Sequence, residues 1–218
     1  MNKEKGHSWS YRVLSLGAPL ALAVLECWHA SGHRNHVYES LAPQIDRWLI
    51  VHILQLFLFP LCAASAYLLT SSLSTKVAAL SRFGLITFAI FYTALDAIAG
   101  LAVGALIRNA RQLPPDQQAV IAGAIQSLWA DPIVGGSGFV LIGTIGTLGW
   151  VVGLVGAAAA LRGAGRPWLI TALLGMSGVL LLGGHAPPFG PLAFGCLFLA
   201  VAVMEFAPAK SIFSEGAT

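Results

Sequence analysis

The sequence predicts an all-α, polytopic transmembrane helical bundle of about six spans, with both termini on the cytoplasmic side. Three observations carry that prediction. Of 218 residues, 57% are hydrophobic and only 10% charged, with mean hydropathy +0.79, whereas a soluble domain carries about 25% charged residues. The few charges fall between apolar runs of roughly 20 residues, the length that crosses about 30 Å of hydrocarbon at about 1.5 Å per residue. Finally, the runs lack the alternating pattern of barrel strands, so helices are the spanning structure that satisfies the backbone in lipid.

The runs cover residues 11–28, 48–70, 83–107, 138–161, 167–183 and 188–206, and the chain reads as a single transmembrane domain over 1–218. Lys3, Lys5 and Arg12 ahead of the first run give it the look of a signal peptide. The run nevertheless contains Pro19 and ends in Glu26-Cys27-Trp28-His29, with no small-x-small cleavage site, so it is expected to stay as the first span. In the second run, His52, Gln55, Cys62 and Ser65 fall on or near one helical face, with Pro60 below His52 and Gln55. The third run carries Asp96, Gly100 and Gly104 at intervals of four. That spacing puts the acid on a close-packing face and turns it toward protein. In the fourth, Gly146, Gly149, Gly153 and Gly156 form a smooth stripe for a neighbouring helix. The fifth and sixth runs are joined by Gly183-Gly184-His185-Ala186-Pro187-Pro188, a turn whose prolines and glycines would hold an imidazole in place.

Orientation follows from the basic residues. Lys3, Lys5, Arg12, Lys76, Arg82, Arg162, Arg166 and Lys210 fall at one set of span ends, and Arg34, Arg47, Arg108 and Arg111 at the other. The positive-inside rule makes the first set cytoplasmic, as in a multi-pass protein of the cell membrane, of the bacterial inner-membrane type. Trp9, Trp28, Trp48, Trp129 and Trp168 are expected as interfacial anchors, with Trp150 alone mid-span. Residues 112–131 hold an apolar stripe too short to span, which reads either as a helix in the outer interface or as a lid over a site.

The partners implied are the lipid bilayer and other membrane subunits. Basic residues scattered singly, with net charge +3, form no stripe for phosphates, which excludes nucleic acid. Cys27, Cys62 and Cys196 form no C-x-x-C pair and read as small apolar residues.

Ionisable groups inside a membrane are costly and mark function. With the orientation above, Glu26, His29, His33, His36, His52 and His185 all lie toward the outer side, drawn from separate chain segments, and Asp96 lies near mid-depth with Tyr92 one turn earlier. Glu205 reads as an interfacial residue at the inner end of the last run. Glu26, His29, His33 and His36 would align only if the first helix continued past Trp28, and Gly32 argues against that. Two ligands alone do not complete a metal site. His52 and His185 are therefore expected to share one site, joined by His29 or Glu26, with Gln55 as the partner that orients His52.

Three function classes are compatible with this pattern. The first is a membrane redox or metal-binding protein in which His29, His52 and His185 ligate a transition metal, or His52 and His185 a haem. The second is an intramembrane enzyme acting on a lipid or isoprenoid, with Asp96 or Glu26 as acid/base. The third is a transporter or a non-catalytic accessory subunit. The sequence contains neither a G-x-S-x-G elbow nor an H-E-x-x-H pair, and no internal repeat of the transporter kind.

Overall fold

A computed structural model describes residues 9–136 and 140–206, so Lys3, Lys5, His7, Lys210 and the expected start of the fourth run at 138 lie outside the described residues. Within them the regular structure is helical throughout and contains no strand. Helix α1 is Trp9–Cys27, followed by the short α2, Val37–Leu41, and one 3-10 turn that leads into α3, Ile45–Thr70. Helix α4, Lys76–Leu95, passes through a π-helical segment, Asp96–Ala102, into α5, Val103–Ala110. Helix α6 is Pro115–Trp129, α7 Leu141–Gly163, α8 Trp168–Leu180 with a closing 3-10 turn, and α9 Phe189–Phe206.

Four of these stretches are long and apolar enough to cross a membrane: Val37–Thr70, Lys76–Ala110, Leu141–Gly163 and Phe189–Phe206. The fifth run forms a shorter apolar helix, Trp168–Gly183. The first forms the 19-residue α1, which packs on α3 and α9. The third helical stretch is longer than its apolar run suggested, because Thr75 caps α4 by accepting from the Ala78 amide at 3.1 Å and the helix runs on through Arg108.

The most extensive helix pair is α4 on α7, and the glycine stripe is its reason. A Cβ at Gly149 would lie 2.7 Å from the Phe88 nitrogen, and one at Gly84 would lie 2.7 Å from the Gly149 carbonyl oxygen. The two backbones approach closely enough that Ser81 Oγ donates to the Gly153 carbonyl at 2.6 Å.

Two apolar clusters fill the interior. One gathers Phe59, Phe88, Trp150 and Phe194 between α1, α3, α4, α7, α8 and α9; the other gathers Leu41, Ile45, Trp48, Ile107 and Ile125 where α2, α5 and α6 close over the end of α3. Large apolar side chains on the outer faces of the spans, such as Phe57 and Ile90, are exposed, as a lipid-facing surface requires.

The tryptophans divide differently from the sequence expectation. Trp9, Trp28 and Trp168 are exposed, but Trp48 and Trp129 are buried in the second cluster, with ring centroids 6.0 Å apart. Trp150 is fully buried and donates from Nε1 to the Ser177 carbonyl at 3.1 Å. Glu205 is paired rather than simply interfacial: Arg12 Nε meets its Oε1 at 2.6 Å, tying the start of α1 to the end of α9.

Candidate metal centre

The site lies between the two apolar clusters, and each of its side chains is delivered by a local break or bend. Helix α1 stops at Cys27, and the Trp28 and His29 amides still donate to the Leu25 and Glu26 carbonyls at 2.9 and 3.2 Å. This last turn points His29 back over the bundle. The chain then leaves the helix, His33 and His36 pair with each other in an isolated bridge, and both are exposed. The alignment of His29, His33 and His36 on one extended helix does not occur.

His52 sits in the second turn of α3. Its Nδ1 bonds the Trp48 carbonyl at 2.8 Å, an acceptor that requires the proton on Nδ1 and leaves Nε2 with its lone pair. The ring rests against Gly100, where a Cβ would overlap His52 Cδ2. Trp48 lies against the ring at 3.9 Å between centroids, tilted by 32°, and its Nε1 donates to the Gly100 carbonyl at 2.8 Å. Gly100 lies inside the π-helical segment, whose wider turn also carries Asp96. Asp96 is 5% exposed and places Oδ1 3.8 Å from His52 Nε2.

His185 follows the 3-10 turn at the end of α8. Gly184 has φ +98°, which favours glycine, and the His185 carbonyl packs so tightly on Gly190 that no larger residue fits there. Tyr92 Oη lies 2.9 Å from His185 Nδ1 and holds the ring from α4. The π-helix, Tyr92 and Trp48 thus supply the supports for the imidazoles.

The three rings converge. One ligand nitrogen from each of His29, His52 and His185 lies within 4.8 Å of the others. The ring centroids of His29 are 5.0 Å from His52 and 4.9 Å from His185. Two nitrogens about 2.1 Å from a single tetrahedral ion stand roughly 3.4 Å apart, so small side-chain rotations close the set on one cation. Both nitrogens of His29, Nε2 of His185 and both carboxylate oxygens of Asp96 are buried and without a hydrogen-bond partner. Buried polar atoms normally find partners, and here several gather at one point with none among the described residues. Burial also holds the His29 imidazole down to about 4, and that of His185 well below the usual range. Both are therefore neutral, the form that binds metal.

Gln55 does not orient His52, as its spacing suggested. Its Nε2 donates to Glu26 Oε1 at 2.6 Å, and both residues are fully buried. His52 takes its orientation from its own helix, through the Trp48 carbonyl four residues earlier. The polar stripe also ends sooner, since Ser65 Oγ donates to the Ser15 carbonyl at 2.6 Å and serves α1–α3 packing.

The imidazoles and Asp96 line a cavity of about 270 Å³, which Tyr92, Trp129 and the segment from Ala30 to Gly32 also wall. Helix α6 roofs it. Gln126 Nε2 donates to the Arg34 carbonyl at 2.8 Å, Tyr38 Oη bonds Gln118 Oε1 at 3.2 Å, and Ile125 and Trp129 turn inward. Within residues 112–131, Pro115–Trp129 form this helix and pack over the site through these contacts. No protein-family model, curated protein or solved structure matches the chain. The chemistry of the three imidazoles is thus the guide to function.

Proposed function

We propose that this is a membrane protein with a single transition-metal centre held by His29, His52 and His185. The observation that carries the reading is the convergence of three imidazoles from three chain segments, with ligand nitrogens within 4.8 Å of one another, on one cavity. Three neutral nitrogen ligands and a free fourth position suit zinc, and also copper, nickel or iron. Bound there, the ion would supply Lewis acidity and an activated water. A single ion suits the geometry better than haem. A planar macrocycle separates its two axial ligands and leaves no place for a third imidazole packed on both, and about 270 Å³ is small even for a drug-sized ligand. The Nδ1 contacts of His52 and His185 to the Trp48 carbonyl and Tyr92 hydroxyl are the outer bonds that ligating histidines need.

The test is metal analysis of protein purified in detergent after growth in metal-replete medium. About one equivalent of metal is expected, lost in His52→Ala and His185→Ala while both variants elute as the wild type does. A wild-type preparation without bound metal, or a double variant that keeps it, overturns the assignment.

The same reading includes six spans with both ends cytoplasmic, in a cell membrane of the bacterial inner-membrane type. The Arg12–Glu205 pair supports it by bringing the start of α1 and the end of α9 to one face. Lys76 and Arg162 against Arg108 and Arg111 give the charge bias of the intervening turns. Reporter fusions after Lys76 and after Arg111 should read cytoplasm and exterior respectively; the reverse pattern would place the histidines inside.

A further inference from the structure

Beside the metal cavity lies a second one of about 410 Å³, and the two share Tyr92, Leu95, Gly136, His185 and Ala186. The second is formed between α4, α7 and the end of α8 by Leu95, Val140, Thr144, Thr147, Leu181 and Leu182. Among the described residues its lining holds no Asp, Glu, Lys or Arg, whereas the first is lined by Asp96, His29 and His52 besides the shared His185. Leu148 and Leu182, which line it, are half-exposed on apolar helices. The two cavities therefore meet at Tyr92 and His185, and the second borders half-exposed leucines on apolar helices.

Resting on the metal-site reading, we propose that the protein hydrolyses a single-chain acyl lipid, with the acyl chain in the slot between α4, α7 and α8 and the carbonyl beside His29, His52 and His185. Asp96 is the proton carrier, since neither of its oxygens is hydrogen-bonded and the residue lines the cavity. In the step, a water at the centre gives one proton to Asp96, and its oxygen bonds to the acyl carbon. The bond from that carbon to the leaving oxygen or nitrogen breaks, and Asp96 returns the proton to the leaving atom. One water is consumed, a carboxylic acid and an alcohol or amine form, and nothing is oxidised or reduced.

The chain slot is tested with alkyl hydroxamates, which pair a metal-binding head with a tail of chosen length. Their affinity for cobalt-loaded protein is read from the visible spectrum. Burying a methylene is worth about fourfold in affinity, so the two-carbon to twelve-carbon series should tighten by at least tenfold in the wild type. In Thr147→Trp or Thr144→Trp, which fill the slot, the same series should span less than threefold. Hydrolysis is tested with dodecanoyl 4-nitrophenyl ester and dodecanoyl 4-nitroanilide on zinc-loaded protein, and the arm that turns over identifies the scissile bond. Asp96→Asn should lose at least a hundredfold in turnover while keeping its metal. A wild-type series independent of chain length overturns the slot, and absence of turnover of both substrates overturns the hydrolysis. Metal content measured on the same preparations separates either result from failure of the metal centre itself.

Discussion

At the scale of single residues, Gly100 is the position on which the site depends most directly. It contributes no side chain, yet its α-carbon forms the wall against which the His52 ring lies, and its carbonyl anchors the Trp48 indole. A methyl group there would overlap His52 Cδ2, and the ring would have to turn away from His29 and His185. Gly100→Ala should therefore weaken metal binding by about 10–100-fold, the range seen when supports of a ligand are lost, without unfolding the bundle. Competition against a chelator of known affinity measures it, and an unchanged affinity would mean that His52 is not a ligand. The buried polar residues themselves are legible in the sequence, because a histidine or acid inside or beside an apolar run is conspicuous: Glu26, His29, His52, Asp96 and His185 are all buried or cavity-lining. Their supports are not. Gln55 lies one turn from His52 and at the depth of Glu26, and spacing cannot say which neighbour an amide will choose. Trp48 reads as a lipid anchor because tryptophan suits an interface, although its place four residues before His52 also allows the contact observed.

At the scale of elements, the contact between α4 and α7 rests on backbone approach. Gly149→Leu would drive a side chain into the Phe88 nitrogen and the Gly84 carbonyl, atoms that cannot turn aside. Overpacking of this kind costs about 1–3 kcal/mol or more. The midpoint of thermal unfolding in detergent should fall by several degrees, whereas Gly17→Ala in α1, with open space around its Cβ, should leave it unchanged or raise it. Equal midpoints for Gly149→Leu and the wild type would show that the seam does not hold the two helices. This seam is visible from the three- and four-residue spacing of the glycines alone, because small residues have one dominant use between membrane helices. The π-helical segment of Asp96–Ala102 is not. Its residues form an ordinary α-helix equally well, and the wider turn appears where Trp48 claims the Gly100 carbonyl and His52 fills the space beside it, contacts that belong to another helix. Apolar runs likewise locate the helices, but cannot show that the third continues unbroken to Ala110 or that α6 folds over the site.

At the scale of the whole molecule, the centre joins parts that the apolar clusters leave separate. His29 belongs to the link after α1, His52 to α3, and His185 to the turn between α8 and α9, so one ion would tie three segments at the end where the two clusters meet. A ligand that binds only the folded protein stabilises it by RT ln(1 + [L]/Kd), about 4 kcal/mol at a thousandfold excess over Kd. Zinc should accordingly raise the unfolding midpoint of the metal-stripped protein, and a chelator should reverse the rise. His185→Ala leaves two ligands from α3 and the α1 link, so its shift should shrink to near that of a surface site. Gly149→Leu acts on the α4–α7 seam and touches none of the three imidazoles, so it should unfold at a lower temperature yet keep the full zinc-induced increment, as distant effects add. If His185→Ala retained the wild-type increment, the stabilising ion would be bound elsewhere. If Gly149→Leu lost the increment, helix packing and ligand geometry would be coupled through Tyr92, which contacts both Gly146 across the seam and His185 in the site.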